Sequence, residues 1–186
     1  MNLEHVNAKI YVEGVLTVDL QRFIETFHRW VAEQSAAELL IDVADYRHVP
    51  DGPGVVLVGL EADYAIDHRG GQSGLLYNRK APLEGDNTDR VVQALHSAAW
   101  AAARLEAEFQ PLRFSRRRFE LFVNDRALAP NDAATRAACE PIFAAAIQAI
   151  APDADRKIEF DPEPRRRLTA VVTLSADADW AKLIAA

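Results

Sequence analysis

Residues 42–67 read DVADYRHVPDGPGVVLVGLEADYAID, and the lengths of the connections in and around this stretch decide the architecture. The run ELLIDV (38–43) enters it as an apolar strand, GVVLVGLE (54–61) forms the next, and DYAID (63–67) follows almost at once. Neighbouring parallel strands need a crossover of about a dozen residues or a helix. These connections are too short for that, so the spacing predicts antiparallel neighbours. Downstream, HRGGQS leads into GLLYNR, and its Gly70-Gly71 pair supplies the positive φ angles that a hairpin turn needs.

The same reading extends to both ends. Upstream, AKIYVE (8–13) alternates as a strand with Ile10 and Val12 on one face. Asp19 is placed to cap the helix LQRFIETFHRWVAEQ, whose Leu20, Phe23, Ile24, Phe27 and Val31 recur at helical spacing. Beyond the turn-rich APLEGDNTD, the spacing of Val91, Leu95, Ala98, Ala102, Leu105 and Phe109 predicts a second helix over 88–109, ended by Pro111. FELFV (119–123) is a strand, and a third helix runs over 132–150 with Pro141 inside it, where a kink is expected. RKIEF and RLTAVVTL are the last strands, and a short helix near 177–184 closes the pattern.

The sum is a single α+β domain over 1–186: a two-layer sandwich with a mainly antiparallel sheet and helices on one face. The two ends share one order of elements: strand, turn, acidic cap, helix, strand, strand. This points to β-α-β-β units at 8–62 and 118–175 related by a pseudo-twofold axis, with the hairpin 63–79 and the helix 88–109 inserted between them.

Composition narrows the function classes. A net charge of −7 argues against a general affinity for nucleic acid. The longest apolar runs, 142–147 and 54–60, fall far short of the roughly 18 residues a membrane span needs. No basic flank with a following apolar stretch opens the chain, and its one cysteine, Cys139, has no internal disulfide partner, so a cytoplasmic location is expected. Two basic triplets, Arg116–Arg118 and Arg165–Arg167, each precede an apolar strand. They are solvated strand ends, or one shared anion patch if the two strands begin on the same side of the sheet.

Site-forming groups crowd into 42–80. Asp45 and His48 offer an acid–base pair, and Asp42, Asp45 and His48 have a carboxylate–imidazole make-up that suits a divalent cation, though their spacing matches no known metal motif and strand geometry does not aim all three at one point. We therefore expect no metal and no cofactor. The Gly52 and Gly54 amides of the stiff PDGPG loop suit an anion. Tyr46, Tyr64 and Tyr77 are placed to line a pocket, with Asp63 on one side and Arg79 on the other. His28 and His96, at the margins of helical apolar stripes, are expected to be packed and hydrogen-bonded, and Trp30 and Trp100 to be core.

The segments LLIDVADYRHVPDGPGVVLVGLEADY and GLLYNRK resemble those of an uncharacterised bacterial protein family. The resemblance covers mainly residues 8–80 and implies no activity, cofactor or ligand. The leading reading is a protein that binds a small anionic ligand or a partner chain. A homodimer is expected, because helices on one side leave the other sheet face to be sheltered. The alternative is a hydrolase-like or metal-dependent enzyme built on His48 and Asp45, with the Gly52 and Gly54 amides stabilising an oxyanion.

Overall fold

The computed structural model describes residues 1–185. Its strands are β1 (Val6–Val12), β2 (Leu40–Asp45), β3 (Val55–Gly59), β4 (Ala62–Asp67), β5 (Gly74–Arg79), β6 (Phe114–Val123), β7 (Arg156–Phe160) and β8 (Leu168–Leu174). Its helices are α1 (Leu20–Glu33), α2 (Asn87–Glu108), α3 (Ala133–Ile150) and α4 (Trp180–Ala185). The strands form one antiparallel sheet in the order β2-β3-β4-β5-β1-β6-β8-β7. This is the α+β two-layer arrangement read from the sequence. β1 and β6 pair in the interior of the sheet. Outward of β1 come the hairpin β4–β5, then β3 and β2; outward of β6 come β8 and β7.

Local chemistry starts each helix. The Asp19 carboxylate accepts from the Gln21 N–H, Asp86 and Asp89 form a reciprocal capping box at α2, and Asp132 accepts from the Thr135 N–H at α3. Helix α1 ends on Gln34 in the left-handed region, and the Gln34 side chain grips Leu40 through both its N–H and its carbonyl. Helix α3 carries Pro141 within its span.

All helices cover one face. Helix α1 packs on β2 and β3, α2 on β1 and β5, and α3 on β7. Alternation selects the core. Val6, Ala8 and Ile10 of β1, Leu75 and Tyr77 of β5, Phe119, Leu121 and Val123 of β6, and Leu168, Ala170 and Val172 of β8 all point to the helices. The stripe Val91, Leu95, Ala98, Ala102, Leu105 and Phe109 of α2 is buried as its spacing requires, and its small alanines let the helix approach the sheet closely. Trp30 packs against Trp100 with the rings tilted at 56°, and the Arg104 guanidinium lies over both. His28 lies exposed and His96 half-buried, so the packed role expected for His28 is corrected. The ring falls outside the stripe formed by Phe23, Phe27 and Trp30. Cys139 is buried in α3, where burial raises its thiol pKa to about 11, well away from nucleophilic behaviour.

Candidate functional site

The second face of the sheet carries no helix, and its chemistry can be read from the strand register. One row crosses all eight strands: Ala44, Val56, Ala65, Leu76, Lys9, Glu120, Val171 and Glu159. The row is apolar from β2 to β5; from β1 onward it is charged except at Val171 of β8. Val56, Ala65, Leu76 and Phe122 form a small second apolar cluster beneath the open face. Beside it stands a group of buried ions.

Lys9 and Asp67 form an ion pair at 2.7 Å, with side chains only 4% and 2% exposed. The Lys9 ammonium also donates to the Arg69 carbonyl, and the Arg69 guanidinium donates to the other Asp67 oxygen. Lys9 lies on β1 and Asp67 on β4, so the lysine stem must cross β5. Gly74 makes that crossing feasible: a Cβ there would lie 2.6 Å from the Ile10 carbonyl oxygen and about 3 Å from the Lys9 stem.

Glu120, next to Lys9 on β6, accepts from the Tyr11 hydroxyl at 3.0 Å. Burial and the Glu120 charge push the Tyr11 pKa far upward, so its hydroxyl stays a donor. Arg118 stacks over the Tyr11 ring and Arg167 over the Phe122 ring, 4.8 and 3.5 Å from the ring centres. Arg167 reaches Glu120 only at 3.9 Å. Its guanidinium is held below its ordinary pKa by burial and then by the nearby Arg69 charge. Of these residues, Lys9, Asp67, Arg69, Glu120 and Arg167 line a cavity of about 700 Å³. Lys9, Asp67 and Arg69 form one wall, and Arg126, Asp161 and Arg165–Arg167 form the other. Glu120, Val171, Glu159 and Thr169 form the floor. Six of its lining side chains are cationic and four are carboxylates, which is a local excess of positive charge in an acidic chain.

The residues singled out in 42–80 are distributed over several places. Asp45 is exposed and gives both oxygens to the Arg47 guanidinium rather than to an imidazole. That hydrogen bonding holds its carboxyl down at about 2. His48 is exposed and stacks on Tyr46, which is exposed as well. Asp42 accepts from the Val43 N–H. Among the described residues, no group of three or more His, Cys, Asp or Glu side chains is arranged to hold a metal ion. Asp63 binds Lys80 at 2.7 Å, and Arg79 donates to the Ala81 and Pro82 carbonyls.

The PDGPG loop is folded against the β4–β5 turn. The Gly52 carbonyl accepts from the His68 N–H, and the Asp51 carboxylate accepts from the Gly70 and Gly71 N–H groups. Gly54 has φ +36°, and a Cβ on it would strike the Ile66 carbonyl oxygen at 2.6 Å and the His68 ring at 2.9 Å. The loop therefore braces the hairpin that carries Asp67 and Arg69.

Tyr64 and Tyr77 face the helices. Both hydroxyls donate to the buried Glu38 carboxylate, at 2.8 and 2.9 Å, and Gln93 donates to Tyr77. Burial first, and then the Glu38 charge, lifts the Tyr77 pKa to about 12 and pushes Tyr64 further in the same direction. β2 begins at Leu40, two residues beyond Glu38, rather than at residue 38.

The shared patch of two basic triplets is corrected by the register. β6 and β8 are antiparallel partners, with Arg118 opposite Thr173 and Val123 opposite Leu168, so the triplets sit at opposite ends of the pair. Arg116 binds Glu106 and lies over Trp180, Arg117 binds Asp177, and only Arg118 leans toward the open face. The second triplet alone lines the cavity. Lys9, Glu120 and Glu159 were not singled out from the sequence. Their signal was a charge at an alternate position of an otherwise apolar strand, as in AKIYVE and FELFV. Such a charge on a central strand must find a partner on its own face.

No family model, curated protein or solved structure matches this chain.

Proposed function

We propose that this chain is a binding protein for a small anionic ligand, held in the cavity of the open sheet face. The observation that carries the reading is Arg167. It is half-buried, stacked on Phe122, repelled by Arg69 and without a hydrogen-bonded carboxylate among the described residues. A planar guanidinium with free donors in a partly dry site is a good match for a phosphate or carboxylate. The neighbouring cations differ: Lys9 and Arg69 are satisfied by Asp67, and Arg166 by Asp161. Arg126 and Arg165 widen the positive wall without a carboxylate of their own among the described residues. The twisted sheet supplies a rigid floor, which lowers the ordering cost of binding.

Isothermal titration of the full chain with inorganic phosphate and with pyrophosphate, in matched low salt, tests the reading. Saturable binding that Arg167→Gln weakens by about 10-fold or more is the expected result. Heat no different from that of a matched chloride titration overturns it. Because the site is electrostatic, affinity should also fall as salt rises.

A further inference from the structure

The cavity is not uniformly basic, and its floor holds two carboxylates in a fixed relation. Glu120 on β6 and Glu159 on β7 both stand opposite Val171 of β8, on the same face and in the same row. Two strand spacings separate them, on the order of 10 Å between their backbones. Thr169 lies one pleat along β8, in the direction of Arg167 and the loop that carries Arg165 and Arg166. The floor thus reads carboxylate, isopropyl group, carboxylate, with a guanidinium wall to one side.

An anion alone leaves these carboxylates unused. Glu120 is held as an acceptor by geometry, since one oxygen takes the Tyr11 hydroxyl and the other lies 3.9 Å from Arg167. The Glu159 carboxylate is paired with Lys157 at an exposed position and keeps lone pairs to spare. A ligand ammonium at Glu120 would lie close to Arg167, Lys9 and Arg69, so a neutral donor fits better. Hydroxyl groups on a ring fit all three floor residues: their O–H bonds point to the carboxylates and a C–H face rests on Val171.

Resting on the anion-binding reading, we propose that the occupant is a phosphomonoester of a polyol, of the sugar-phosphate class. The phosphate sits against Arg167, Arg126 and Arg165, and the hydroxyl groups sit on Glu120 and Glu159. Glu120 and Glu159 then set the preference for the ester over inorganic phosphate.

The test compares inorganic phosphate, glycerol 3-phosphate, a hexose 6-phosphate and the free hexose by isothermal titration on the full chain. The expected order is hexose phosphate first, about 10-fold or more tighter than phosphate, with the free hexose weakest. Glu120→Gln and, separately, the more exposed Glu159→Gln should each cut the ratio of hexose-phosphate to phosphate affinity by about 5-fold or more; the ratio is the readout because Glu120→Gln also removes a charge 3.9 Å from Arg167. Glu159→Gln guards against a folding defect at Glu120, and the unfolding midpoint of each variant without ligand is measured alongside. Phosphate binding with no gain from the polyol overturns this inference and leaves the anion site standing. So does an equal loss for phosphate and its esters in both variants. Failure of every phosphate compound to bind overturns the anion reading and this inference together.

Discussion

Two buried carboxylates in this molecule have been satisfied in opposite ways. Glu38, on the helix side, is met by neutral donors, the hydroxyls of Tyr64 and Tyr77. Asp67, on the open side, is met by cations, Lys9 and Arg69. The first site is closed by α2 and a continuous apolar core, so it is complete in itself. The second borders a cavity and is embedded in more positive charge than it can neutralise. The Glu38 cluster fits a structural role, because it is enclosed between sheet and helices with its acceptors used by buried hydroxyls. An ionic cluster with an excess of positive charge at the wall of a cavity projects a field that a ligand can meet.

The sharpest break of this contrast is Lys9→Met. It removes the better-buried partner of Asp67 and should destabilise the fold by about 3 kcal/mol, with Arg69 retaining part of the charge balance. Chemical denaturation reads the change, and Lys9→Met combined with Asp67→Leu should recover most of it. If the single and double variants are equally unstable, the pair is not ionically coupled. Next, Glu38→Ala strands two buried hydroxyls and should cost about 2 kcal/mol, whereas Glu38→Gln keeps an acceptor and should cost about 1 kcal/mol. Gly54→Ala sets a Cβ against the Ile66 carbonyl at positive φ and should cost about 1 to 2 kcal/mol. Anion affinity should fall with it, through the bracing of the hairpin.

The mildest test is alkaline pH. The Tyr11, Tyr64 and Tyr77 pKa values are all raised on folding, and that of Tyr77 reaches about 12. The native state therefore favours the protonated phenols. That stability is fully present below the unfolded-state value of about 10 and is lost as pH rises above it. Ultraviolet difference titration should show these phenols ionising only together with unfolding. Smooth ionisation of all of them in the folded chain would show that the two clusters are open to solvent alike.

Much of the sheet was legible because its decisive signals are local. The loop around PDGPG, the Gly70-Gly71 turn and the acidic caps at Asp19 and Asp132 act over a few residues, and so does the α2 stripe. The units at 8–62 and 118–175 stay a proposal; in the sheet β1, β3 and β2 run outward on one side and β6, β8 and β7 on the other, with the hairpin between β3 and β1. The site was less legible. Crowding of polar groups in 42–80 drew attention to Asp45, His48 and Tyr46, whose partners turn out to be immediate neighbours. The cavity instead assembles Lys9, Asp67, Glu120, Glu159 and Arg167, which are distant along the chain and meet only through register. A single sequence shows that Lys9 is a charge among apolar residues; it does not show that the vacancy at Gly74 leads its stem toward Asp67. A homodimer stays a proposal; on the open face Lys9, Asp67, Leu76 and Phe122 are already buried within the single chain.

The seam between β1 and β6 has a consequence for how occupancy relates to assembly. Lys9, Asp67 and Arg69 belong to the first half of the polypeptide, and Glu120, Glu159 and Arg167 to the second. The side chains proposed to touch the ligand all lie in the second portion, but neither portion alone encloses the cavity. On the proposed reading, ligand capture reports correct mating of the two segments, and a chain nicked between α2 and β6 offers a direct assay of complementation.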